Sequence, residues 1–234
     1  MTTIADQLQH VRARMAQACA QAGRDPATVR LLAVSKTFGA DAVQAAAAAG
    51  QMAFGENYVQ EGVDKVLALR AAGVDGLEWH CIGPLQSNKT RPVAEHFDWV
   101  HTIDRLKVAQ RLSEQRPDGL PPLQVCVQVN VDGGANKSGV TLAELPALAR
   151  AVAALPRLRL RGLMCIPEPA PDFAAACEVF GRARTALAQL QQAGLALDTL
   201  SMGMSDDLEA AIASGSTLVR VGSAIFGRRS YAAG

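Results

Sequence analysis

No stretch of the 234-residue sequence approaches the roughly 20 consecutive apolar residues that cross a bilayer as a helix. The opening MTTIADQLQHVRARM lacks the basic-then-apolar order of a secretory leader. Ile4, Leu8, Val11 and Met15 instead recur at helical spacing and predict an ordinary amphipathic helix. The five cysteines (Cys19, Cys81, Cys126, Cys165 and Cys177) are scattered without CxxC spacing, so a reduced, cytoplasmic setting is expected. The four histidines show neither HExxH nor any paired metal-ligand spacing, and no metal is expected. An excess of one charge is missing too. Lys plus Arg number 23 against 22 Asp plus Glu, so no net field draws the molecule to nucleic acid or to an anionic membrane. Any anion has to be captured by a local site.

What the chain does have is apolar content, 49% of it, in short runs of β character. They lie near 29–35, 52–57, 78–83, 98–103, 123–131, 160–166, 198–204 and 217–222. Helix-like segments fall between them. Asp41 precedes an alanine run closed by Gly50, Asp104 precedes RLKVAQRL, and Thr141 with Glu144 forms a capping box. Two further segments end at Gly194 and Gly215. Strands alternating with helices imply parallel pairing, because a parallel neighbour can be reached only by a crossover. Eight such units fit a single (β/α)8 barrel spanning about 28–228 behind an extra N-terminal helix, one domain over 1–234. A doubly wound open sheet uses the same local pattern, but no GxGxxG follows the first strand. No linker divides the chain, although EQRPDGLPP (114–122) reads as a long loop.

In a barrel the loops after the strands share one rim, where function gathers. That rule selects Lys36 after strand one, Glu56 and Asn57 after strand two, and GPLQSNKT after strand three. It also selects NVDGGANKSG after strand five, MSDD after strand seven and GSAIFG after strand eight. Ser205 is expected to cap a helix whose first turn holds Asp206 and Asp207, and Gly222 and Ser223 open another turn. Free backbone N–H groups at such starts suit a dianion. Gly222 adds a place where a ligand can approach the backbone without meeting a Cβ. Strand one adjoins strand eight in a closed barrel, so Lys36 faces this phosphate site across the rim. An amine partly desolvated beside Arg220 has a lowered pKa and attacks an aldehyde. Phosphate plus aldehyde describes pyridoxal 5′-phosphate, held by Lys36 as a Schiff base. Arg220 shares the face of Gly222 and can point to the barrel axis. There a guanidinium, which only donates, would leave a pyridine nitrogen unprotonated. A salt-bridged barrel arginine is the competing reading of the same residue.

GPLQSNKT (83–90) comes within one residue of GxxxxGK[ST], which keeps nucleotide binding in view. Asn88 replaces the second glycine, however, and Pro84 removes an amide donor. DGGANKSG (132–139) reads as a flexible turn, and Lys89 and Lys137 as rim charges.

The blocks LLAVSKTF, FGENYVQE, WHCIGPLQSNK, VQVNVDGGANKSG, GLMCIP, LSMGMSDDLEAAI and STLVRVGSAIFGRR, in this order over about residues 5 to 230, resemble the pyridoxal phosphate homeostasis proteins, the YggS/PROSC family. The resemblance implies a barrel of the alanine racemase type (fold type III of the pyridoxal phosphate proteins) with the cofactor as an aldimine on Lys36. It further implies Ser205, Gly222 and Ser223 at the phosphate, Arg220 near the ring nitrogen, Asn57 lining the pocket, and Lys137 in cofactor handling. A cytoplasmic monomer that buffers pyridoxal 5′-phosphate and delivers it to apo-enzymes, with no known turnover, is the function it implies. The alternative is a pyridoxal phosphate-dependent amino-acid racemase. Racemases of this fold use a second acid/base tyrosine from a further domain. The sequence offers only Tyr58, read as packing at a helix start, and Tyr231 in the tail.

Overall fold

The computed structural model describes residues 2–134 and 138–227. After α1 (Ile4–Gln21) come β1 (Arg30–Val34), α2 (Ala40–Ala48), β2 (Ala53–Glu56), α3 (Val59–Ala71), β3 (Glu78–Cys81) and α4 (Thr90–His96). They are followed by β4 (Trp99–Ile103), α5 (Leu106–Gln115), β5 (Leu123–Gln128), α6 (Leu145–Ala153), β6 (Leu158–Met164) and α7 (Phe173–Gln192). The chain continues through β7 (Thr199–Ser201), α8 (Leu208–Ala213), β8 (Leu218–Val221) and α9 (Ser223–Phe226). All neighbouring strands pair in parallel and in chain order. Arg30 opposite Leu218 through Ala33 opposite Val221 returns β8 to β1 and closes the barrel. Each of the eight apolar runs is one of these strands.

A parallel strand cannot leave one face in water, which is why β2, β4 and β8 are buried along their whole length. Alternation divides their side chains. Val219 and Val221 of β8 join the main core between sheet and helices, while Leu218 meets Leu32, Val34, Ala53 and Ile82 inside the barrel. The expected N-terminal helix is present. Its apolar stripe, Leu8, Val11, Met15, Ala18 and Cys19, is buried. α1 packs against α2, α8 and α9, so it completes the helical ring where α9, only four residues long, cannot.

Several predicted helix starts shift. α2 begins at Ala40 after Gly39, with Asp41 inside its first turn, and α5 follows Arg105 where Asp104 was expected to cap. Thr141 and Glu144 do form the reciprocal box, Thr141 N–H donating to Glu144 Oε2 (3.1 Å) and Glu144 N–H to Thr141 Oγ1 (3.2 Å), one turn before regular α6. The long loop reduces to residues 116–122. It is pinned by buried Arg116, which donates to the carbonyls of Ala94 and Phe97.

Candidate functional site

Because β7, β8, β1 and β2 are consecutive around the barrel, their C-terminal ends stand side by side. Lys36, Asn57, Ser205, Arg220, Gly222 and Ser223 all line one cavity there, of about 540 Å³. Six positions chosen from four separate segments of sequence are thus brought together. Apolar walls come from Val34, Phe38, Ile82 and Ile166, and Phe38 stacks on Phe226 with ring centroids 5.2 Å apart.

At the β7–β8 side the Ser223 hydroxyl donates to Ser205 Oγ at 3.3 Å. Ser205 does not cap α8, however. That helix starts at Leu208 behind Asp207, whose Oδ1 accepts the Met204 N–H at 2.5 Å. The shift has a physical cause. Asp207 reaches back to close a turn over Met204–Asp207, and this competes with helix until the next residue. With α8 six residues long and α9 four, the donors at this corner are the two hydroxyls and the Ser223 and Ala224 amides, which have no partner within their own helix, while Asp206 lines the same cavity. Gly222 serves packing as well as access: a Cβ there would lie 3.2 Å from Val34 O and 3.3 Å from Val34 Cβ.

Arg220 is buried under the cavity, as its position on β8 predicts. It donates from Nη1 to Ser201 Oγ (2.8 Å) and from Nη2 to Cys165 O (3.0 Å), both neutral oxygens. Ser201 continues into a chain through the barrel: His101 Nδ1 lies 2.8 Å from Ser201 Oγ, His80 Nδ1 lies 2.8 Å from His101 Nε2, and Glu78 Oε1 lies 2.6 Å from His80 Nε2. Burial alone would raise the Glu78 carboxyl, but hydrogen bonding to His80 and the charge of Arg30 outweigh it and hold the pKa at about 2. Burial lowers His80, and lowers His101 further with the help of neighbouring charge. An ionised Glu78 and two neutral imidazoles assign every proton. Arg220 donates to Ser201, Ser201 to His101, His101 Nε2–H to His80, and His80 Nε2–H to Glu78. Nothing in the local sequence announces this chain, since its members come from four strands.

The unfolded chain protonates these histidines near pH 6.5, whereas in the folded chain burial shifts both to lower pH, His101 the further. The unfolded state therefore binds more protons below that pH, and stability falls on acidification. Glu78 acts in the same direction. Its contribution is complete above its ordinary value of 4.5 and is lost as pH falls towards 2. The melting temperature is expected to decline below about pH 6.5, each histidine contributing up to about 1.4 kcal/mol per pH unit. Thermal scans of His101→Gln should show a shallower decline between pH 6.5 and 5, and an unchanged slope would assign the titration elsewhere.

Other sequence expectations fare differently. Glu56 is fully buried beneath the rim and does not line the cavity. Tyr58 is the residue before α3 and 56% exposed, so it is no packing residue. Tyr231 and Lys137 lie outside the described residues. In GPLQSNKT the Thr90 hydroxyl is spent on Ser87 O (3.0 Å) and Gln115 Oε1 (2.7 Å), and Lys89 is exposed. Gly83 abuts Asn57, where a Cβ would fall 2.1 Å from Asn57 O. The segment supports the cavity wall and builds no nucleotide cradle. Among the described residues no group of three His, Cys, Asp or Glu could hold a metal ion, and no helix is long and apolar enough to cross a membrane.

Comparison with known proteins places this geometry. The alanine racemase N-terminal domain family matches residues 7–230. The pyridoxal phosphate homeostasis protein of Pseudomonas aeruginosa is 61% identical over 233 residues, covering 100% of this chain and 99% of that one. Its counterpart in Escherichia coli K12 is 58% identical over 231 residues, 99% of each chain. Among solved structures, PipY of Synechococcus elongatus with PLP bound superposes with a TM-score of 0.84 at 38% identity, over 96% of this chain and 100% of that one. Alanine racemase from Corynebacterium glutamicum shares the fold (TM-score 0.70, 22% identity), 96% of this chain matching 62% of that one.

Proposed function

Since the chain belongs to the family of the pyridoxal phosphate homeostasis proteins, we propose that it binds pyridoxal 5′-phosphate in the rim cavity, holds it covalently through Lys36, and hands it on without turning over amino acids. The observation that carries this is the convergence in one cavity of the Lys36 side chain, the Ser205–Ser223 hydroxyl pair and the buried Arg220 guanidinium. These residues fit the cofactor. The hydroxyls and first-turn amides suit its phosphate, and Arg220 suits a ring nitrogen that accepts a hydrogen bond. Asn57 Oδ1, buried with no partner among the described residues, suits a donor on the bound molecule. The proposed working form is a cytoplasmic monomer, with apo-enzymes of the same cofactor as recipients.

A bound pyridoxal 5′-phosphate would supply an aldehyde with which the Lys36 amine could condense, forming C=N and releasing water. A second amine or water reverses it, so the linkage permits release. Turnover needs more. Arg220, if it faced the ring nitrogen, would leave the ring a weak electron sink. Besides Lys36 and Arg220, the cavity's described lining offers Asp206 as its sole titratable side chain. Holding is the task that such a site supports.

The loaded protein, mixed with an apo-transaminase, is expected to restore transaminase activity, and L-alanine incubated with it should remain L over hours. Protein-dependent loss of optical activity at the usual enzyme rates of roughly 1–10³ s⁻¹ would replace this reading with a racemase.

A further inference from the structure

Lys36 sits in a turn of unusual backbone. Thr37, directly after it, has φ 68°, a left-handed conformation that a β-branched residue rarely adopts and that persists only where the surroundings over-determine it. The surroundings here are a buried ion triad. Lys65, from the second turn of α3, is nearly inaccessible and donates to three oxygens: Ser35 O at 2.7 Å, Glu56 Oε1 at 2.8 Å and Glu61 Oε1 at 2.6 Å. Glu61 Oε1 in turn accepts the Thr37 N–H at 2.5 Å, and Glu56 Oε1 accepts the Ser35 hydroxyl at 2.5 Å.

These contacts have one thing in common. Ser35 O belongs to the peptide group preceding Lys36, and Thr37 N–H to the peptide group following it. The torsions of Lys36 are the rotations between those two planes, so fixing both planes fixes the Cα–Cβ direction of the lysine. A buried ion network is weak evidence for stability by itself, because apolar replacements of similar volume often match it. Orientation is what this one supplies.

We propose that Glu56, Lys65 and Glu61 are positioning residues that clamp the peptide groups on either side of Lys36 and aim its amine at the aldehyde of a bound cofactor. The proposal rests on the reading of Lys36 given above and extends it to the residues that make Lys36 reactive. None of the three lines the cavity, so each acts through the backbone of the turn.

Glu61 is the member to alter, since its side chain is 29% exposed in the first turn of α3. Two variants separate position from charge. Glu61→Gln retains a carbonyl oxygen for the Thr37 N–H, and Glu61→Ala retains nothing. In the protein without cofactor, the Thr37 amide is expected to exchange with solvent deuterium about tenfold faster in Glu61→Ala and near the parent rate in Glu61→Gln, as loss of one hydrogen bond to a charged group requires. Pyridoxal 5′-phosphate affinity should fall about tenfold in Glu61→Ala. Affinity for pyridoxine 5′-phosphate, whose hydroxymethyl group cannot condense with an amine, should stay near that of the parent. Glu61→Gln should recover most of the difference. Unchanged Thr37 exchange in Glu61→Ala, or equal losses for both ligands, would overturn the clamp. A parent protein that traps no adduct on Lys36 would overturn the carrier reading instead, and Thr37 exchange alone would then decide the clamp.

Discussion

Lys36→Ala is expected to abolish the adduct that borohydride traps between the protein and pyridoxal 5′-phosphate, leaving no modified peptide by mass spectrometry. The loss should be complete because no other described lysine is placed to substitute. Lys65 already spends its three donors on Ser35, Glu56 and Glu61. Lys89 is exposed at the end of a short 3₁₀ turn and does not line the cavity. The contacts proposed for the phosphate and ring do not involve Lys36, so the variant should still bind the cofactor, reversibly and with the absorbance of a free aldehyde. Trapped cofactor mapping mainly to Lys89 or Lys137 would show that the assignment is wrong.

Gly222→Val is expected to separate the phosphate from the rest of the ligand. A Cβ at residue 222 already presses on Val34 O and Val34 Cβ, and the two further methyls of valine must go towards β1 or into the cavity beside Ser205 and Ser223. Either course should displace the start of α9, with the Ser223 hydroxyl and amide, relative to Ser205. Two charge-assisted hydrogen bonds lost together weaken pyridoxal 5′-phosphate by about 10²-fold or more. Unphosphorylated pyridoxal has no such contacts to lose and should bind the variant almost as it binds the parent. Titrating both ligands into both proteins gives the comparison. Equal loss would mean that β1 itself is disturbed, and would count against a phosphate role for this corner.

The barrel and the corner were legible for different reasons. Strands buried on both faces are mostly apolar, so VRLLAV, WVHTI and LVRV show themselves locally even with Arg30, His101 and Arg220 in them. Once their number reaches eight, closure tells which strand ends are neighbours. That is how Lys36 could be set beside Gly222, 186 positions later in the chain. The start of α8 was misread because SDD offers three successive capping side chains. The choice among them depends on which one reaches Met204 N–H. The clamp was illegible for a deeper reason. Glu61 and Lys65 stand four apart on a helix, the signature of a solvated surface pair. Only the approach of Ser35 and Glu56 from two other elements buries that lysine, and no local pattern encodes it. The buried histidines are the same case, since an imidazole in an apolar strand looks alike whether or not another strand brings it a partner.

The line of donors from Arg220 to Glu78 also sets what can travel along the barrel axis. Every hydrogen in it points away from the rim. A proton could hop in that sense only by leaving the guanidinium, the strongest base of the set. The opposite hop would require both imidazoles and the serine hydroxyl to turn over together, through a cationic imidazole that burial resists. The chain is therefore an insulator. Among the described residues, this line of donors gives protons no easy path between the floor of the barrel and its rim.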